Sequence, residues 1–261
     1  MLERVRTERP LIHHITNYVT AGDCANMVLA AGASPVMADD PEEAAEMTFL
    51  ASALVLNLGT LDARKVESMK RSGKAAAGKK IPVVLDPVGC GAARFRTETA
   101  KMLLHTVHPQ VVRGNVSEIA ALYDGSAHAQ GVDAAERDYS RDRQTLAENA
   151  AQAWHCVVAV TGTVDVVSDG SRTALIRNGC AMMSRVTGTG CMASSLTAVF
   201  CAVEKENCFA AAAAALVFMG LCGEEAERKS SGCGTFHAAL FDAASQMTGD
   251  MLQKGAKCYE L

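Results

Sequence analysis

Ile81-Pro82-Val83-Val84-Leu85-Asp86-Pro87-Val88-Gly89 is the stretch of this chain that most clearly indicates its fold. Its apolar residues run continuously instead of alternating with polar ones, which is typical of a strand buried on both faces of a parallel sheet. Asp86 and Gly89 then mark where the strand ends and the chain turns. The stretch predicts a core strand over residues 81–86 whose carboxyl end carries an acidic side chain.

Longer alanine-rich stretches separate further short apolar runs along the chain. This alternation of strand and helix predicts an α/β fold, a mostly parallel central sheet with helices on both faces. The turn Asp169-Gly170 also predicts a hairpin, which would end the sheet with antiparallel strands. The remaining strands are predicted at residues 35–37, 53–58, 110–113, 156–161, 165–168 and 173–177.

Local signals predict where several helices begin. Asp40-Pro41-Glu42-Glu43 has an N-cap residue, a first-turn proline and a glutamate at the third helical position. Thr97 is expected to open a second helix and Ala193 an apolar one, and the chain from Cys191 onward is predicted to be helical. The polar residues 124–142 are predicted to be a surface loop, either mobile or containing a short helix.

Composition places this chain of 261 residues among ordinary globular proteins. Hydrophobic residues make up 49% and charged residues 21%, and no linker divides residues 1–261, so we expect one domain with a sizeable core. The net charge of -4 provides no attraction for nucleic acid. The most apolar segments, residues 194–203 and 208–222, are shorter than the roughly 18–20 residues that cross a bilayer, so we expect two buried helices and no membrane.

The chain has 10 cysteines without a C-x-x-C pair, and most lie in apolar or alanine-rich surroundings. A reduced cysteine in such a place behaves as a small hydrophobic residue, whereas disulfide frameworks belong to short secreted chains. A zinc site is therefore not expected. The charged residues at the start also differ from a signal peptide, so we expect a cytoplasmic protein.

Turns that contain glycine and a polar residue follow several of the predicted parallel strands. In an open parallel sheet the carboxyl ends of the strands meet at one edge, and ligands bind there. Each turn alone is also explained by ordinary turn chemistry, but together they favour a site at this edge. The turns are Asn57-Leu58-Gly59-Thr60, Asp86-Pro87-Val88-Gly89, Arg113-Gly114-Asn115 and Thr161-Gly162.

Val186-Thr187-Gly188-Thr189-Gly190-Cys191-Met192 is a glycine-rich turn directly before an apolar helix. The first N–H groups of a helix have no partner within it, and the helix dipole is positive there, so the turn is suited to bind a phosphate. Such donors would stabilise the charge that develops in phosphoryl transfer. The alternative is that Gly188 and Gly190 only allow close packing. Walker A and G-x-G-x-x-G patterns are missing, which disfavours P-loop ATPases and nicotinamide dehydrogenases.

Cys191 is predicted to lie at the N-terminus of that helix, where the pKa of a thiol tends to fall. It would then be a nucleophile, a weak base or only a buried side chain. A covalent Cys–His mechanism would need His13, His14 or His237 as partner, and the sequence spacing selects none of them.

Asp86 and Glu118 are candidate carboxylates for Mg²⁺, which ATP-dependent enzymes usually hold through one or two carboxylates, waters and phosphates. Glu118 has a second explanation, since Asn115-Val116-Ser117-Glu118 has the form of a capping box, and the two roles are compatible. Arg113 precedes that helix and would meet a phosphate of ATP, or form only a surface salt bridge.

In their order along the chain, these residues resemble the hydroxyethylthiazole kinases, a branch of the ribokinase-like fold, and the similarity covers nearly the whole chain. The motifs that carry it are residues 10–19 (PLIHHITNYV), 32–39 (GASPVMAD), 57–61 (NLGTL), 85–89 (LDPVG), 113–118 (RGNVSE), 160–162 (VTG) and 188–191 (GTGC).

The resemblance implies an enzyme that uses ATP and Mg²⁺ to phosphorylate the primary alcohol of 4-methyl-5-(2-hydroxyethyl)thiazole, for thiamine biosynthesis and salvage. It also implies a homotrimer with the thiazole pocket near the subunit interface. Cys191 would stand where related sugar kinases have a catalytic aspartate. The other positions that it implies are Met37, Gly188, Asn17 and Gly59 for the thiazole, Arg113 and Thr161 for ATP, and Asp86 and Glu118 for the metal, while the glycine-rich turn itself predicts a catalytic role for Gly188 and Gly190.

Two departures from the family pattern stand out. Thr163 occupies the place of a usual glutamate, which affects the polar contacts expected at the ATP site. Ser231-Gly232-Cys233-Gly234-Thr235-Phe236 replaces a more usual G-P-G-S-F pattern and is expected to be neutral, because both glycines remain. Two alternatives stay open: another ribokinase-like enzyme, such as a hydroxymethylpyrimidine kinase or a hydrate dehydratase, and a thiazole-binding protein without catalysis.

Overall fold

The computed structural model describes residues 1–125 and 136–261 of the chain. The strands within these residues are β1 (Leu11–Ile15), β2 (Ser34–Met37), β3 (Ala53–Asn57), β4 (Val83–Asp86), β5 (Val111–Asn115), β6 (Val157–Thr161), β7 (Asp165–Ser168), β8 (Thr173–Ile176) and β9 (Cys258–Glu260).

The strands form one sheet in the order β2-β1-β3-β4-β5-β6-β7-β8-β9. All pairs from β2 to β6 are parallel. The pairs from β6 to β9 are antiparallel. The predicted mostly parallel sheet with an antiparallel edge hairpin is confirmed, but the sequence analysis missed two strands, β1 between β2 and β3 and β9 beyond β8.

Helices cover both faces of the sheet. They are α1 (Leu2–Glu8), α2 (Ala21–Ala31), α3 (Ala44–Leu50), α4 (Ala63–Lys79), α5 (Arg94–Val107), α6 (Val116–Tyr123), α7 (Glu136–Trp154), α8 (Thr189–Val203), α9 (Cys208–Lys229), α10 (Cys233–Gln246) and α11 (Gly249–Gly255).

Successive side chains of the central strands enter two different cores. Val84 of β4 packs in the core that contains α2, α8, α9 and α10, while Val83 and Leu85 pack in the core with α4, α5 and α7. Because strand side chains alternate between faces, a strand covered on both sides needs a continuous apolar run. This is the physical reason that residues 81–86 indicate the fold.

One helical stretch, Lys205–Lys229, is long and apolar enough to cross a membrane by length and composition, and 72% of its apolar window is buried inside the fold. It contains α9, which packs against α8, α10 and the antiparallel strands. The two apolar segments are therefore buried core helices, as the sequence predicts.

Several predicted helix starts are wrong. The helix expected at Thr97 begins at Arg94, and the Thr97 hydroxyl instead accepts a hydrogen bond from the N–H of Gly91 at 2.9 Å. The side chain of Asp40 caps a turn that precedes α3, which starts only at Ala44. The helix expected from Ala193 begins four residues earlier, at Thr189.

The polar residues 124–142 were expected to form a loop, mobile or with a short helix. Their last part belongs to the long helix α7, which begins at Glu136. Residues 126–135 of this stretch lie outside the described residues.

Candidate active site

The glycine-rich turn forms the start of α8 itself. Gly188 is the N-cap residue with φ 90°, a left-handed conformation that favours glycine. The N–H of Met192 donates to the carbonyl of Gly188 at 2.8 Å and opens the helical hydrogen-bond pattern. The N–H groups of Thr189, Gly190 and Cys191 precede that pattern and lie at the positive end of the helix dipole. The turn has the form of the predicted anion site.

Arg113 of β5 lies directly against this turn. A Cβ atom at Gly190 would be 2.8 Å from Arg113 Nη1, so glycine is needed for the close approach. Nη2 donates to Thr161 Oγ1 at 2.7 Å, and Nη1 lies 3.9 Å from Asp86 Oδ2. With its side chain only 12% exposed, Arg113 does not form the surface salt bridge considered from the sequence.

Asp86, at the end of β4, is fully buried beside the turn. Its Oδ2 accepts hydrogen bonds from Asn57 Nδ2 and Ser194 Oγ, both at 2.8 Å. Its Oδ1 is buried without a partner among the described residues. Burial raises the pKa of Asp86 to about 6, the charge of Arg113 partly opposes that shift, and the charge of Glu118 adds to it.

Glu118 connects two of the loops at this edge. Its Oε2 accepts from the N–H of Asn115 at 2.9 Å, and Asn115 Oδ1 accepts from the N–H of Glu118 at 2.9 Å. The predicted capping box is therefore confirmed. Its Oε1 accepts from the N–H of Gly89 at 3.0 Å, so the same carboxylate fixes the turn after β4.

Two asparagines join the acid to the cysteine. Asn57 Oδ1 accepts from Asn17 Nδ2 at 3.0 Å and from the N–H of Gly59 at 2.9 Å. Both amides also donate to Cys191 Sγ, Asn17 at 3.4 Å and Asn57 at 3.3 Å. A Cβ atom at Gly59 would lie 2.8 Å from the Cβ of Asn17, which leaves room only for glycine. The structure thus brings Asn17, Gly59, Cys191 and Asp86 together.

The thiol of Cys191 does not have the properties expected at a helix N-terminus. Burial raises its pKa and the charge of Asp86 raises it further, so the expected fall is wrong. The three histidines considered as partners, His13, His14 and His237, bond to other groups. Within the described chain no imidazole hydrogen-bonds Cys191, and the thiol is protonated at neutral pH. A preformed Cys–His nucleophile is therefore absent from these residues.

Met37 lies apart from this cluster. It is the last residue of the edge strand β2, is 37% exposed, and pairs with His14 of β1. No hydrogen bond or ion pair of the described residues connects it to Cys191 or Asp86. It shares the carboxyl edge of the sheet with the other predicted site residues because β2 and β1 are parallel.

Sequence reasoning assigned no role to three of the residues that build this site. Asn57 lies opposite Asp86 in the β3–β4 register, and that pairing is not visible in the local sequence. Ser194 follows Cys191 by three residues on α8, a spacing that puts both side chains on one helix face. Thr20 donates to Asn17 Oδ1 through its N–H and its hydroxyl, both at 3.0 Å.

Comparison with known proteins matches nearly the whole chain to one family. The sequence model of the Hydroxyethylthiazole kinase family matches residues 2–250. The curated hydroxyethylthiazole kinase of Clostridium beijerinckii is 46% identical over 266 aligned positions, which cover 100% of this chain and 96% of the relative.

Solved structures agree with this assignment. That of the hydroxyethylthiazole kinase protein from Pyrococcus horikoshii OT3 has a TM-score of 0.91 at 41% identity and covers 100% of this chain and 97% of that one. A ribokinase-like superfamily protein from Enterococcus faecalis V583 has a TM-score of 0.66 at 12% identity, covering 97% of this chain and 89% of its own, a likeness of fold. The chain belongs to the hydroxyethylthiazole kinase family.

Proposed function

We propose that this protein transfers the γ-phosphoryl group of ATP to the primary alcohol of 4-methyl-5-(2-hydroxyethyl)thiazole. The name of its relatives supports the thiazole as acceptor, and membership of the family supports thiamine biosynthesis and salvage as the context. The observation that carries the proposal is the meeting of the turn at Gly190, the buried guanidinium of Arg113 and the buried carboxyl of Asp86 at one sheet edge.

The donors at this edge suit a migrating phosphoryl group. The N–H groups of residues 189–191 and the guanidinium of Arg113 are held by the fold before any ligand binds, so they stabilise developing negative charge without reorganising. Thr161 fixes Arg113 by accepting its hydrogen bond at 2.7 Å. We assign Gly188, Gly190 and Cys191 to catalysis, and Arg113 and Thr161 to ATP.

The acceptor alcohol belongs on the other side of the turn. Asn17 donates to Cys191 and Gly59 packs against Asn17, and we assign these three residues, with Met37 and Gly188, to the thiazole. A loose transition state for phosphoryl transfer needs little base strength, so alignment of the alcohol dominates. The neutral thiol of Cys191 therefore serves as a hydrogen-bonding group that positions the alcohol, and not as a nucleophile or a base.

Asp86 and Glu118 are the residues that would hold Mg²⁺. Asp86 Oδ1 is a buried oxygen with no hydrogen-bond partner among the described residues, which fits a cation ligand. Both oxygens of Glu118 already accept a backbone N–H, so Asp86 is the better fit for direct contact and Glu118 for contact through water. When bound, Mg²⁺ supplies neutralisation of charge on the phosphates.

The resemblance also supports one domain over residues 1–261, a cytoplasmic location and a homotrimer with the thiazole pocket near the interface. Tyr18 and Val19 directly follow Asn17 and are 79% and 57% exposed, an apolar surface beside the proposed pocket that suits a neighbouring subunit. Light scattering of the purified protein would give three times the mass of one chain; a stable monomer would contradict the trimer.

ADP release, followed by a coupled assay with ATP and Mg²⁺, tests the reaction. Hydroxyethylthiazole should give turnover, whereas hydroxymethylpyrimidine should give little. Arg113→Gln should abolish the signal, and Arg64→Gln, at an exposed pair with Asp40, is the matched control. Turnover with the pyrimidine alone would indicate the other kinase, and thiazole binding by calorimetry without ADP release would indicate a non-catalytic binder.

A further inference from the structure

A second arginine, Arg143, contacts the turn after β6, which Arg113 also contacts at Thr161. Arg143 of α7 donates from Nη1 to Thr163 Oγ1 at 3.2 Å and to the carbonyl of Val164 at 3.4 Å. Arg113 contacts Thr161, two residues earlier in the turn. The turn after β6 therefore lies between two guanidinium groups.

Both arginines approach the main chain at a glycine. A Cβ atom at Gly162 would be 2.7 Å from Arg143 Nη1, just as one at Gly190 would be 2.8 Å from Arg113 Nη1. The N–H of Gly162 donates to the half-buried Asp165 at 2.8 Å, which fixes the backbone between the two cations. The guanidinium of Arg143 therefore lies as close to the main chain at Gly162 as that of Arg113 does at Gly190.

The guanidinium of Arg143 keeps unused donors. Its Nε is buried and has no hydrogen-bond partner in the described part of the chain. Its two acceptors, Thr163 and Val164, are neutral and their bonds are long. No carboxylate of the described residues forms a salt bridge with it, and Gly162 and Thr163 are exposed. A fixed guanidinium with spare donors beside solvent is a typical phosphate-binding group.

We propose that Arg143 binds the phosphates of the nucleotide that remain with ADP, next to the γ-phosphate position at Arg113 and Gly190. The proposal rests on the ATP-dependent reaction proposed above. The proposal also depends on the neutral side chain of Thr163, because a carboxylate at this position would pair with Arg143 and cancel its charge. Arg143 is then a nucleotide-binding residue and not only a contact that holds α7 to the turn.

The test compares Thr163→Glu with Thr163→Gln, two side chains of the same size that differ in charge. One charge-assisted contact is worth about tenfold in affinity, so Thr163→Glu should raise KM for ATP and weaken ADP binding about tenfold. The KM for the thiazole should change less than about twofold, and Thr163→Gln should leave ADP binding within about threefold of the wild type. Arg143→Gln should match Thr163→Glu, and Arg143→Lys should recover part of the affinity.

Equal effects of glutamate and glutamine at position 163, or a thiazole KM that rises as much as the ATP KM, would overturn the role of Arg143. Calorimetry with ADP keeps this test separate from the reaction. If the wild type releases no ADP from ATP but binds ADP more tightly than Thr163→Glu does, the proposed reaction fails and the site at Arg143 stands. If the wild type binds neither ATP nor ADP, both proposals fail.

Discussion

Replacing Asp86 by asparagine should separate the stability of this fold from its activity. The wild-type Oδ2 accepts from Asn57 and Ser194, and Oδ1 is buried without a partner among the described residues. Asparagine has nearly the same shape, so its carbonyl oxygen can keep both bonds. The substitution removes a buried negative charge without creating a cavity.

The size of the effect follows from the pKa of Asp86, which burial raises from 3.8 to about 6. The folded protein holds this proton to higher pH than the unfolded chain, so ionisation lowers wild-type stability as pH rises from about 4 to about 6. A shift of about two pKa units corresponds to about 3 kcal/mol. Relative to the wild type, Asp86→Asn should therefore gain about 3 kcal/mol over the whole titration, of which about 2 kcal/mol falls between pH 4.5 and pH 7.5 because the unfolded carboxyl is already largely ionised at pH 4.5.

Urea unfolding at pH 4.5 and at pH 7.5 gives the free energy of unfolding of the wild type and of Asp86→Asn. The gain is the change, between the two pH values, in the difference between the two proteins. Any pH-independent cost of the amide group cancels in that comparison. Asp242→Asn, at an exposed carboxylate of α10, controls for the loss of one negative charge. Activity should fall in the opposite direction, since the carboxylate near the phosphates is lost. An Asp86→Asn protein that gains no stability relative to the wild type between the two pH values would refute the reasoning.

Three further predictions concern turnover. Cys191→Asp should retain or raise kcat, because the two side-chain amides that donate to the thiol can donate to a carboxylate; a dead variant in steady-state assays would refute the proposed role of Cys191 as a replaceable hydrogen-bonding group. Gly190→Ala should lower kcat/KM for ATP by about a hundredfold or more, since its Cβ displaces Arg113. Gly22→Ala, with no atom within 4 Å of the new Cβ, should be nearly neutral in the same assay. The pH profile of kcat/KM should fall below about pH 6, as the Asp86 carboxylate becomes protonated; a flat profile down to pH 5 would contradict this.

The parallel sheet and the site at its carboxyl edge could be predicted from the sequence because both follow from rules of topology. Continuous apolar runs such as residues 81–86 indicate strands covered on both faces, and the ends of parallel strands meet wherever their exact partners are. Asp86 and Arg113 could therefore be assigned to one edge without knowledge of the strand order, whereas Gly190 follows no parallel strand and was interpreted only from its place at the start of a helix.

Features that depend on distant neighbours could not be predicted in this way. Strand β1 contains His13 and His14, which interrupt the apolar pattern and are buried because their rings hydrogen-bond to side chains and carbonyls from other segments. Asn57 joins Asp86 to Cys191 only through the pairing of β3 with β4. The pKa of Cys191 was expected to fall from the helix dipole, but burial and the nearby acid outweigh that local effect.

The side-chain atoms of the described residues that are buried without a hydrogen-bond partner are Asp86 Oδ1, Arg113 Nε and Arg143 Nε. Leaving such an atom unsatisfied costs about 1–3 kcal/mol, so a fold under selection for stability alone would avoid them or scatter them. All three belong to residues at the carboxyl edge, two cationic and one anionic, around the turns at Gly162 and Gly190. A polyphosphate with a divalent cation carries the complementary groups for each of them. Their clustering is therefore an argument for the nucleotide site that does not depend on the motifs from which the site was first predicted.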